Sequence, residues 1–430
     1  MSMIRSSTRR RFLSGALALG AASWGRTLES ADGAPEVSLV VAWNRAVLSA
    51  VQSSAASPCL ASRALAIVHA AAHDAFSTQS GKGSLLTPEG GLTQPDAPAA
   101  AAMAVAAAVT ASALFTPHRP IFEALLKKQL ETFPANTRAA AIPAGTAWAE
   151  AHLAGRAGDG ASRSVTYIPV HQPGRWRRTP ARMRPPELPQ WPQVKTFALN
   201  SASQFRPGPP PELASPEYVL GWSRTRDIGG ATSVQRSAEE TLIAKFWSCF
   251  SYTVTPAGHW SVILGDLAEA HRLPLGRAVR AFALMGIATA DAAIAAWDAK
   301  YAYEFWRPVH AIPLAAEDGN PATQGDPAWK PLLETPPHPE YVSGHSVMGR
   351  AGAEVLRAIW GRDDIAFNTH SDTVTGVTRP FTSFQASADE MSISRIFGGI
   401  HFPFSTDSGQ ILGKAVARRA MDWMDEKVPL

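Results

Sequence analysis

Lys300 and Arg307, Ser343-Gly344-His345, and Arg395 with His401 are the residues whose types and spacing could do chemistry together. Lys300 and Arg307 stand seven apart, close to two helical turns, so a continuous helix would point both from one face. Pro308 then restrains Arg307 toward extended backbone and ends that helix. Two cations on one face repel unless an anion lies between them or each has its own acid, and Glu304 and Asp298 could serve as ordinary partners. Ser343-Gly344-His345 directly precedes a helical pattern over 346–360, which puts its N–H groups and hydroxyl at a positive helix end, an anion site. Gly344 lets backbone approach a ligand closely. "GHSVMG" is not a nucleophile elbow, because Met348 stands where that turn needs glycine and no strand leads into it. "SRIFGGIH" (394–401) supplies the rest. Ser387 and Glu390 read as a capping box that starts a helix carrying Arg395, and Gly398-Gly399 breaks it so that His401 leaves helical phase. Brought together, these groups would surround a tetrahedral oxyanion with charge-assisted donors and leave imidazoles for bonding and proton transfer.

The elements that must position them are helical. Apolar residues recur at three- and four-residue steps in 62–76, 97–114, 237–247, 276–305, 346–360, 387–397 and from about 408 onward. Alternating patterns are scarce, so the expectation is an all-α chain built as two packed four-helix-type bundles. Eleven prolines between 169 and 211 exclude a long helix there and leave an irregular wrap. With 46% hydrophobic and 18% charged residues, the 430-residue chain can bury a sizeable core. Its net charge of +4 comes from Arg5, Arg9, Arg10, Arg11 and Arg26 against Glu29; the remainder balances, which removes the motive for binding nucleic acid. Thr8-Arg9-Arg10-Arg11-Phe12-Leu13 and the moderately apolar run after it read as a twin-arginine export signal over 1–30, with cleavage near 31. Residues 31–430 are then one helical domain, periplasmic or secreted, without an integral membrane segment, and the oxyanion site falls at about 297–407. Cys59 and Cys249 permit one disulfide, or two buried free thiols.

Lys300, six residues, Arg307-Pro308; Ser343-Gly344-His345; Ser394-Arg395, five residues, His401: this order resembles the three-part signature shared by vanadium-dependent haloperoxidases and type 2 phosphatidic acid phosphatases. "RALAIVHAAAHDA", "PGRWRRTP", "FWSCFSYTVTPAGHW" and "EFWRPVHAI" extend the likeness to the bacterial haloperoxidase-like branch and to most of the chain. The resemblance implies a vanadate cofactor whose oxygens are bound by Lys300, Arg307, Arg395, Ser343 and the Gly344 N–H, with His401 on the metal. It implies His345 as acid-base, Lys300 polarising the peroxide, and hydrogen peroxide and halide as substrates giving hypohalous acid. Phosphate can occupy the same cage, so a periplasmic acid phosphatase with a phosphohistidine at His401 is the alternative, and a non-catalytic oxyanion scaffold the third. Trp297, Trp306 and His338 border the family's halide site, and a histidine at 338 is bromoperoxidase-like, so bromide is the favoured halide; a surface-loop role for His338 in "PPHPEY" competes with this. A homodimer is a further expectation. Relatives commonly carry an acid four residues after the histidine at 401, where this chain has Ser405; Asp407 could replace it, or could cap the last helix with Gln410. His69 and His73, beside Asp74, could be half of a zinc site, but the packed helix face is the better reading; His259 in "PAGHW" and His310 after "WRPV" read as structural or as supporting groups behind the site.

Overall fold

The computed structural model describes residues 36–87, 92 and 97–429. The export-signal reading of 1–30 lies outside the described residues.

Helices come in two groups. The first contains α1 (Ser38–Ser53), α2 (Pro58–Gln79), α3 (Ala99–Leu114), α4 (Arg119–Leu130) and α5 (Ala135–Arg156). The second contains α6 (Pro216–Gly229), α7 (Ala238–Phe246), α8 (Thr255–Ala270), α9 (Leu275–Tyr303), the short α10 (Pro308–Ala311), α11 (Gly344–Trp360), α12 (Phe384–Phe397) and α13 (Pro403–Lys427). A hairpin of β1 (Phe367–His370) and β2 (Thr378–Phe381), antiparallel with Phe367 opposite Phe381, is the only sheet among the described residues. The helical expectation holds, and α1, α4, α5, α6 and α8 add to the helices that periodicity picked out. Two starts shift: α12 begins at Phe384 and α13 at Pro403, each ahead of the sequence-based position.

α2 and α9 form the axis, α2 packing on α3 and α5 and α9 on α11 and α13. Alanine dominates the facing surfaces, so the backbones come close; a Cβ on Gly286 would lie 2.9 Å from Ala66 Cα. By length and composition α9 could cross a membrane, but its apolar stretch is 94% buried here and it is the core helix. Between α5 and α6 the proline-rich segment makes nothing longer than a three-residue 3-10 turn, as its missing donors require. Side chains of α9 pin it: Asp291 accepts the N–H groups of Phe197, Ala198 and Leu199 at 2.7–3.0 Å, and Arg206 pairs with Asp298 through two bonds. Cys59 and Cys249 are both free and buried.

Candidate active site

Lys300 lies in the last turn of α9 and is fully buried. The helix stops at Tyr303, and Glu304 turns the chain in the left-handed region (φ 51°). Arg307 is therefore not on a continuous helix with Lys300; it stands extended (φ −87°, ψ 154°) ahead of Pro308, the geometry that proline imposes. Neither expected acid pairs with the two cations. Asp298 holds Arg206 and Glu304 lies beside Arg175. Lys300 Nζ instead donates to the carbonyls of Pro339, Glu340 and Val342, which uses all three of its hydrogens. Burial, reinforced by Arg307, holds its pKa well below the usual lysine range.

Ser343 is the N-cap of α11, its hydroxyl accepting the Ser346 N–H. Gly344 and His345 open that helix, so their N–H groups have no intrahelical acceptor. A Cβ at 344 would meet Trp297 and Met348 only at ordinary contact distances of 3.5 and 3.8 Å. Packing does not require glycine there, and its bare backbone borders the cavity described below.

α12 begins three residues before the expected capping box. Ser383 is the N-cap and accepts the Ala386 N–H, Ser387 is interior, and Glu390 is taken by Arg379 and the Trp247 indole. Arg395 is delivered as expected, near the end of α12. Its Nη2 donates to Trp247 O at 2.8 Å, and its Nη1 lies 3.4 Å from His345 Nε2. Gly399 takes φ +72°, and a Cβ would fall 2.2 Å from the Gly229 carbonyl, so only glycine makes the turn that frees His401 from helical phase.

His401 is oriented from both sides. Nδ1–H donates to Glu340 Oε1 at 2.7 Å, which leaves Nε2 as the acceptor, 3.0 Å from Arg307 Nη1; the tautomer is assigned from these bonds. Glu340 also accepts the Phe402 N–H, while its Oε2 is buried without a partner. The orienting acid is thus Glu340, not Asp407. Asp407 is exposed and neither reaches His401 nor caps α13, which starts four residues earlier after Phe402. Ser405 Oγ is 3.5 Å from His401 Nδ1, a marginal contact. Local spacing around 401 could not find Glu340; the signal was an acid inside "HPEYVSGH", in a loop that leads to the Ser-Gly-His.

Three buried cations, Lys300, Arg307 and Arg395, form no ion pair with a carboxylate among the described residues. Burial lowers both arginines to about 10 and pushes the Glu340 carboxyl up to about 7, against the pull of Arg307. His338, His345 and His401 are held well below the ordinary histidine value by burial and the neighbouring cations. Histidines at this site are neutral at physiological pH. His345 Nε2–H donates to Ser248 O at 3.2 Å, which leaves its other nitrogen able to take a proton. Concentrated positive charge and N–H donors together fit an oxyanion such as vanadate or phosphate.

A cavity of about 340 Å³ opens onto His401, His345, Arg395, Gly344, His338 and Trp297. Lys300, Arg307 and Ser343 lie behind this surface and act on it through charge and hydrogen bonds. His338 is buried, not a surface-loop residue: its ring lies 4.7 Å from Trp297, and Nδ1 accepts from Arg307 Nη2 at 2.9 Å. Trp306 is in the core, away from the cavity. His310, in α10, has a buried Nδ1 without a hydrogen-bond partner among the described residues. His69 bonds Asn44, His73 and His152 bond Asp74, and His259 bonds Thr369 over the Trp247 ring.

Residues 280–428 match the family model described as the VCPO second helical-bundle domain. Vanadium chloroperoxidase of Curvularia inaequalis is 27% identical over 237 residues, 41% of this chain and 38% of that protein, so the likeness spans well under half of the relative. The structure of a bacterial vanadium-dependent iodoperoxidase superposes with a TM-score of 0.78 at 27% identity, covering 90% of this chain and 96% of that one. A holo-type bacterial vanadium-dependent chloroperoxidase shares the fold (TM-score 0.66, 17% identity, 94% and 95% coverage).

Proposed function

We propose that this chain, which belongs to the vanadium-dependent haloperoxidase family, oxidises halide with hydrogen peroxide to hypohalous acid using vanadate. The observation that carries the reading is His401: its Nδ1–H is fixed by Glu340, and its Nε2 is presented among three buried cations that form no direct ion pair among the described residues. Arg395 and the Gly344 N–H, which reach the cavity, would hold the vanadate oxygens, Lys300, Arg307 and Ser343 would support them from behind by charge and by the Ser343 hydroxyl, and His401 Nε2 would bond the metal. Bound vanadate supplies a Lewis acid of constant oxidation state that activates peroxide. The cations stabilise negative charge that develops on oxygen, in a site where surrounding protein excludes water. His345, neutral at rest, takes and returns a proton. Glu340 removes the motive for a non-catalytic scaffold, since the imidazole is oriented without an acid at position 405.

Bromide is the favoured halide on the side-chain reading of Trp297 and His338, and we extend the proposal to export of the folded enzyme through the twin-arginine pattern at Arg9-Arg10. The test is bromination of a 1,3-diketone with and without orthovanadate, beside His401→Ala. Vanadate-dependent turnover that falls by about 10³-fold or more in the variant supports the reading. Aryl-phosphate hydrolysis blocked by vanadate, without bromination, overturns it in favour of a phosphatase.

A further inference from the structure

One carboxyl group in the cavity wall has no part in the scheme above. Glu187 lies in the proline-rich wrap, in "RPPELP", and lines the cavity near Trp297 and His338. Its backbone is fixed on both sides: the N–H donates to Pro337 O at 2.8 Å, and the carbonyl accepts from Trp297 Nε1 at 3.2 Å and the Tyr301 hydroxyl at 2.7 Å. The carboxylate itself accepts no hydrogen bond and makes no ion pair among the described residues. Anchoring and side chain are therefore separable. The backbone holds the loop over the site, while the side chain adds an acidic group to a cavity wall otherwise rich in cations and imidazoles.

We propose that Glu187 is a specificity-determining residue that opposes entry of a halide ion beside Trp297 and His338 when its carboxylate is ionised, and admits it when neutral. The identity of the anion rests on the haloperoxidase reading; the effect on anions in general does not. Arg184, Arg307 and Lys300 act on Glu187 through their charge, and Cys59 and Tyr301 feel its charge from α2 and α9. On the remaining walls, Arg182 and Glu334 flank the mouth, and His345, Arg395 and His401 lie toward the cage. Burial raises the Glu187 carboxyl above its ordinary value, and the three cations pull against that rise. The three cavity histidines are shifted the other way, so Glu187 ionises without a compensating protonation of its neighbours.

The vanadate-loaded enzyme, Glu187→Gln and Glu187→Asp are compared for bromide KM and kcat between about pH 5 and pH 8. The wild-type KM is expected to rise about tenfold with pH, Gln to keep the low-pH KM throughout, and Asp to follow the wild type, with the effect in KM rather than kcat. A second readout needs no turnover: iodide quenching of Trp297 fluorescence, taken as the difference from Trp297→Phe, in protein without vanadate. Gln should be quenched at about tenfold lower iodide than wild type at pH 8 and equally at pH 5. Equal KM and equal quenching in Gln and wild type at every pH would overturn the proposal, as would a change confined to kcat and thermal midpoint. If wild type oxidises no halide, the haloperoxidase reading fails, while the quenching series still decides the role of Glu187.

Discussion

Two buried clusters of histidine and carboxylate among the described residues are built to opposite ends. In the first helical group, Asp74 accepts from His73 and His152 at 2.9 Å each and from the N–H groups of Leu85 and Leu86, so both oxygens are used. Burial alone would raise this carboxyl, but the histidine hydrogen bonds outweigh it and hold it at about 2. In the second group, Glu340 holds His401 and Phe402 with one oxygen, leaves the other unpartnered, and is pushed up to about 7. A cluster with every lone pair satisfied closes a fold. One with a bare carboxylate oxygen and surplus positive charge around the imidazole keeps interaction energy in reserve for a ligand.

The comparison can be broken or sharpened by substitution. Asp74→Ala strands two histidines and two N–H groups in the core, and should lower unfolding stability by about 3–5 kcal/mol without a specific effect on oxyanion affinity, read by denaturant melts and vanadate titration. Glu340→Gln does the reverse: it should weaken vanadate binding about 10- to 100-fold with little change in the melt, because it disturbs the orientation of His401 rather than the packing. Acid should discriminate the clusters too. Asp74 is depressed from 3.8 to about 2, so its stabilisation is complete above pH 3.8 and lost as pH falls through 2. This is about 2 kcal/mol that Asp74→Asn should not lose over that window, measured by melts across pH. Ser405→Ala removes only a 3.5 Å contact and should change turnover by less than about threefold, which would confirm that Glu340 is the orienting group.

What was legible in the sequence is what local rules encode. The spacing of Lys300, Arg307, Ser343, Gly344, His345, Arg395 and His401, the helical periods and the proline wrap all carry their meaning within a few residues. Glu340 does not, because it reaches His401 across 61 positions while spacing rules look within a turn and find Ser405 or Asp407. The Ser387 and Glu390 pattern misled for a related reason: tertiary partners, Arg379 and Trp247, claimed Glu390 before it could cap anything. Lys300 shows the same limit. Its neighbours Asp298 and Glu304 looked like partners in sequence, but burial put three backbone carbonyls against it instead.

Every group proposed to touch the oxyanion falls within 300–401, inside the stretch that matches the family model, whereas the cavity wall draws on Glu187, Ser248 and Cys249 from earlier in the chain. The cage thus comes from one length of polypeptide, while the wall around it is assembled from that length and from earlier ones. Substitution at Glu187, whose side chain bonds no cage residue, would alter the wall and leave the cage in place, which is the arrangement through which one reaction could be tuned, over generations or in the laboratory, to different anions and acceptors.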